Sequence, residues 1–87
     1  MKAYALCGVA YDFEVREFWI EGIYQRLDDA FARKRRLDKE QNTLSGKSPW
    51  DRSTRTKLEL EMRKLDPQYR VHNYLSDYEI RETEIRE

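Results

Sequence analysis

The side chains able to do chemistry are few and scattered along this chain. His72 is the one histidine and Cys7 the one cysteine. A Cys–His pair works as nucleophile and base only when the thiolate is stabilised in an electropositive, partly exposed setting. Cys7 instead sits inside the apolar run from Ala3 to Tyr11, the setting of a small buried hydrophobe. His72 has no neighbouring acid, base or ligand that would make it part of a team. A structural zinc site needs about four Cys or His ligands at motif spacing, and these two residues cannot supply them. The glycines, Gly8, Gly22 and Gly46, match no phosphate-cradling loop. Asp28-Asp29 and Glu79, Glu82 and Glu84 bring carboxylates close together in sequence, yet raising a carboxyl pKa for acid–base work requires burial. Their polar surroundings predict a solvated face instead. The sequence therefore predicts no catalytic residues, no metal and no cofactor.

Binding is the chemistry that remains. The chain carries 17 basic and 17 acidic residues, for zero formal net charge, but the two signs are segregated. Residues 25–64 hold 12 basic and 7 acidic side chains, leaving the flanking regions acidic. Arg33, Arg35 and Arg36 on a basic helical face, together with Trp19 between Glu17 and Glu21 on one strand face, are the candidate partner contacts. If the Trp19 face is uncovered it forms an aromatic patch of the kind that binds a partner. An alternative use of the basic layer is contact with phosphates through Arg33, Lys34, Arg36, Arg52 and Arg55, which would be strongly salt-dependent. A domain built for nucleic acid usually has an overall basic balance, and this one does not. Trp50, opening a helix beside Gly46 and Pro49, is either an interface anchor or a core residue.

The elements that must position these residues follow from the hydropathy pattern. Lys2 to Ala10 has apolar residues on both alternations, as in a central strand covered on each side. Val15 to Tyr24 is rich in β-branched and aromatic residues and reads as a second strand, after a turn at Asp12, making a hairpin. Strict alternation puts Phe18, Ile20 and Tyr24 on one face and Trp19, Glu21 and Ile23 on the other. The period then changes to about 3.6, with Leu27, Ala30, Phe31, Leu37 and Leu44 near one stripe of a helix over Leu27–Asn42. Asp28 and Asp29 in its first turn suit the helix dipole. Ser48-Pro49 reads as the cap and first turn of a second helix over 48–65. Its stripe is Trp50, Thr54, Leu58, Met62 and Leu65, and Asp66-Pro67 ends it. One or two strands are predicted in the last twenty residues. The order β-β-α-α-β is that of an α+β fold, a small antiparallel sheet with two helices packed on one face.

Eighty-seven residues make a single domain with one core, and eleven aromatics compensate for its modest aliphatic content. No run reaches the ~20 apolar residues of a membrane span. The lone cysteine fits a reducing, cytoplasmic compartment.

The opening Met1-Lys2-Ala3-Tyr4-Ala5-Leu6, and the step from Glu21-Gly22-Ile23-Tyr24 into Asp28-Asp29-Ala30, resemble a group of small uncharacterised phage and bacterial proteins. These share a hydrophobic first strand, a hairpin, a Gly-Ile/Val-Tyr segment and an acidic helix start. The resemblance covers about the first 40 residues, and the second helix departs from it. It implies a phage or mobile-element setting, in which small proteins often bind and block a host protein. The expected function is accordingly a non-catalytic protein-binding module, an accessory or inhibitory factor acting on a host protein. The alternatives are a nucleic-acid-binding protein using the basic helical face and a homodimer paired through an exposed sheet edge.

Overall fold

The computed structural model describes residues 1–46, 52–72 and 74–84. The chain runs β1 (Lys2–Tyr11), β2 (Arg16–Tyr24), α1 (Leu27–Ser45), α2 (Arg52–Met62) and β3 (Asp77–Glu84). The three strands form one antiparallel sheet in the order β2-β1-β3. The α+β class, the β-β-α-α-β order and the central place of the first strand all agree with the sequence pattern. A single strand forms among the described residues after α2, and Tyr69 to His72 and Tyr74 to Ser76 run outside regular structure.

The hairpin turn is built by Asp12. Its Oδ1 accepts hydrogen bonds from the backbone N–H of Glu14 at 2.8 Å and of Val15 at 2.6 Å, a side chain mimicking a backbone turn. These two donors hold the Asp12 carboxyl below the usual carboxylate range.

β1 and β2 do not keep strict alternation. Cys7 pairs with Ile20 but Leu6 pairs with Gly22, so Glu21 is the extra residue of a β-bulge. Beyond the bulge every side chain changes face. Ile23 joins Phe18 and Ile20, and Tyr24 joins Trp19, the reverse of the grouping that simple alternation predicts.

The inner face carries Leu6, Ala10, Trp19 and Tyr78, which form the core with Leu37 of α1, Leu58 and Met62 of α2, and Tyr69 of the following segment. Trp19 lies over Gly8. A Cβ built on Gly8 would sit 2.1 Å from the indole ring, so only glycine fits beneath it.

α1 ends at Gly46, whose φ of 58° lies in the region that glycine reaches without a steric penalty. The helix extends three residues past the expected Asn42. Ala30, Leu37, Gln41 and Ser45 are its buried positions, whereas Leu27 and Phe31, expected on the stripe, are exposed. Gln41 is held inside by hydrogen bonds, donating from Nε2 to Ser76 O at 2.7 Å and accepting from the Tyr69 hydroxyl. α2 packs on α1 with Leu58 and Met62 buried and Leu60 exposed, as its stripe requires. The predicted start of this helix at Ser48-Pro49, and Trp50 with it, lie outside the described residues.

Candidate functional site

The structure separates the residues that the sequence groups as one contact surface. Trp19 is a core residue, 7% exposed, and the expectation of an open Trp19 face fails. Trp19 pairs with Gly8 on the face that the helices cover, and the absence of a side chain at Gly8 leaves room for the indole there. Its Nε1–H donates to Asp66 Oδ2 at 2.7 Å, and the Tyr78 hydroxyl donates to the same oxygen at 2.8 Å. Tyr69 and Tyr78 meet the indole edge-on, with ring centroids 6.0 and 6.1 Å away. Asp66, 1% exposed, is therefore the hub of a buried aromatic cage. The sequence offers Asp66 only as a helix stop before proline. The usable signal lies in its partners, since buried Trp and Tyr polar tips require acceptors.

Glu21 and Arg33 do come together, as a tie between β2 and α1. Arg33 Nε donates to Glu21 Oε1 at 2.9 Å, and the Tyr24 hydroxyl donates to Glu21 Oε2 at 2.8 Å. The Glu21 side chain is only 8% exposed. Arg33 also donates to the carbonyl of Leu65, anchoring the segment after α2. Burial, reinforced by the Glu21 carboxylate, pushes the Tyr24 phenol up to about 12. Both charges are consumed in holding the fold.

Glu17 lies near Arg70, at 3.2 Å, and near His72, whose Nε2 is 3.1 Å from the same carboxylate oxygen. The His72 imidazole and then the Arg70 guanidinium hold the Glu17 carboxyl below its ordinary range. This group borders a cleft of about 520 Å³ lined by Trp19, Arg63, Gln68 and Arg70. Arg63 is bonded to Tyr69 O and to Glu59, so the charges around the cleft are satisfied within the chain. Cys7 and His72 do not meet. Cys7 is on the outer face of β1, where burial pushes its thiol up, whereas His72 faces Glu17 in the inner row. Among the described residues no group of three or more His, Cys, Asp or Glu could hold a metal ion, and no helix is long and apolar enough to cross a membrane.

The basic helical layer is divided. Arg33 is committed to Glu21, Lys34 pairs with Asp38 at 2.7 Å, and Arg55 donates to His72 O at 3.3 Å. Arg35, Arg36 and Arg52 are exposed. The set that would contact phosphates together is thus reduced to separate arginines on two helices.

What sequence reasoning missed is the outer face of the sheet. Its rows are Ala3, Ala5, Cys7 and Val9 on β1, Phe18, Ile20 and Ile23 on β2, and Asp77, Glu79, Arg81 and Thr83 on β3. The helices lie on the opposite side. Phe18, Ile20 and Ile23 are 53%, 51% and 61% exposed. Together they present on the order of 300 Å² of apolar surface, given the ~150–250 Å² a large aromatic can bury and the size of patches that are often functional. The small side chains of β1 make a trough of about 460 Å³ beside this ridge. Arg81 reaches across it, its guanidinium carbon 5.2 Å from the centroid of the Phe18 ring, and Arg81 also pairs with Glu79 at 2.6 Å.

No protein-family model matches the chain, and no significant match was found among curated proteins or solved structures.

Proposed function

We propose that the chain is a non-catalytic protein-binding module, an accessory or inhibitory factor of a phage or mobile element that occupies the surface of a host protein. The single observation carrying this reading is the open outer sheet face, where Phe18, Ile20 and Ile23 stand half exposed beside a trough of small residues. An uncovered apolar patch rimmed by charge marks a protein contact. The contact residues are therefore those of the outer face rather than Trp19, Glu21 and Arg33, which hold the fold. The exposed Arg35 and Arg36 form a separate surface on α1. The test is capture from a host lysate with tagged wild type and with Ile20→Asp, each with and without nuclease. A stoichiometric protein retained by wild type after nuclease, and lost with Ile20→Asp, supports the reading. Retention of nucleic acid alone, abolished by Arg35→Glu with Arg36→Glu, overturns it.

A further inference from the structure

Resting on the outer face as a protein contact, we infer that in the free protein this face is covered by a second copy of the chain, packed sheet on sheet about a two-fold axis perpendicular to the strands. The pattern of the rows selects both the occupant and the crossing. In β1 register, Ile20 and Glu79 stand at the level of Cys7, while Ile23 and Arg81 stand at the level of Ala5. A two-fold axis at the level of Leu6, between them, exchanges these two levels. Ile20 then faces Ile23 of the second copy, Cys7 faces Ala5, and Glu79 faces Arg81, each contact occurring twice, as an isologous interface demands.

The other simple arrangement, with the axis along the strands, lays β2 of one copy over β3 of the other. That places Phe18 and Ile20 against Asp77 and Glu79, setting the charged row of β3 on apolar side chains, so the Glu79–Arg81 pair within each copy meets no opposite charge across the interface. The charge pattern of β3 is thus self-complementary in one crossing only. Aligned sheets pack ~10 Å apart with an offset of about 30°, so the rows cross at a shallow angle centred on Leu6.

Edge pairing is the weaker route. On β2, Gln68 Nε2 donates to the Ile20 carbonyl at 2.9 Å, occupying an acceptor that an added strand would use. The exposed row of β3 is mostly charged, a device that discourages pairing.

Size is consistent with a weak but specific dimer. Three strands at ~4.8 Å spacing and roughly eight residues of ~3.3 Å, with side-chain flanks, outline about 600 Å² per copy. The total of about 1,200 Å² is at the lower limit of specific interfaces, the size of a contact that can open for a heterologous partner.

The experiment is sedimentation equilibrium of wild type, Ile20→Asp, Glu79→Arg and Arg81→Glu from about 1 to 200 μM, with circular dichroism to confirm folding. These positions are on the exposed face, away from the core. Wild type is expected to dimerise, and each variant to raise the dissociation constant at least about tenfold, because like charges or a buried aspartate oppose each other. The decisive sample is an equimolar mixture of Glu79→Arg and Arg81→Glu. Each chain then presents two like charges, and only the mixed pair sets the two arginines of one chain against the two glutamates of the other. Recovery of a dimer in the mixture supports the interface. A wild type that stays monomeric across the range, a dimer indifferent to Ile20→Asp, or a mixture that stays monomeric overturns it. A monomeric wild type whose host-protein capture still depends on Ile20 would overturn the dimer and leave the binding-module reading standing.

Discussion

Replacing Asp66 should damage this protein more than replacing any charged residue on its surface, and the size of the effect follows from geometry. Two buried donors, Trp19 Nε1 and the Tyr78 hydroxyl, converge on one oxygen, Asp66 Oδ2. Asp66→Ala strands both, and each unsatisfied buried donor costs about 1–3 kcal/mol. The expected loss is therefore about 4 kcal/mol, a large share of the ~5–15 kcal/mol available to a domain. Asp66→Asn is the informative control. Its amide oxygen can accept both bonds at the same position, so what is lost is charge assistance, and the expected penalty is only about 1–2 kcal/mol. The assay is urea denaturation followed by far- and near-ultraviolet circular dichroism, with Tyr78→Phe alone and combined with Asp66→Asn. Coupling between positions 66 and 78 should appear as non-additivity. If Asp66→Ala lies within about 1 kcal/mol of wild type, or costs no more than Asp66→Asn, Asp66 is not the acceptor on which the cage depends.

Three further outcomes are expected. Gly8→Ala puts a methyl group into the Trp19 indole and should lower stability by about 2 kcal/mol in the same denaturation assay, the middle of the usual overpacking range; an unchanged midpoint would mean the indole does not rest on Gly8. Burial raises the phenols of Tyr24, to about 12, and of Tyr69 and Tyr78. Because these folded-state values lie above the unfolded value near 10, their contribution is intact below about pH 10 and falls as pH rises from about 10 toward 12. The part of the absorbance change at about 295 nm that belongs to these three tyrosines should therefore accompany the loss of circular dichroism, and ionisation of all six tyrosines with the fold intact would refute the assignment. Finally, the Cys7 thiol, raised by burial, should react with a disulfide reagent at least about a hundredfold more slowly in the native protein than in urea; equal rates would place it at the surface.

The fold is legible in the sequence where local chemistry and tertiary packing agree. Turn formation by Asp12, the acidic first turn of α1, and the Leu58 and Met62 stripe of α2 need nothing beyond sequence spacing. The site is less legible, because one inserted residue decides it. Alternation through β2 holds only until Glu21; Gly22 inside the strand pattern is the one local hint of a bulge but does not fix the extra residue, so strict alternation puts Ile23 and Trp19 on a shared face that they do not share. Leu27 and Phe31 lie close to the helical stripe but are exposed, while Gln41 and Asp66, polar by composition, are buried because remote groups satisfy them. Pairings such as Asp66 with Trp19 and Gln41 with Ser76 are made by topology, which local periodicity does not encode.

The central position of β1 also governs the order of assembly. β1 can pair with β2 through a short turn, but its other edge waits for β3, with Lys2 meeting Glu84 and Val9 meeting Asp77 across nearly the full span of the chain. Such distant closure is slow to reach, since the loop entropy is lost before the contacts are gained. Until it happens β1 has one open edge, and Trp19 and Asp66 lack the Tyr78 ring that completes their cage. Nascent chains of this protein are thus most exposed to misassembly in the interval before the last strand docks, and a helper that shields an unpaired strand would act there.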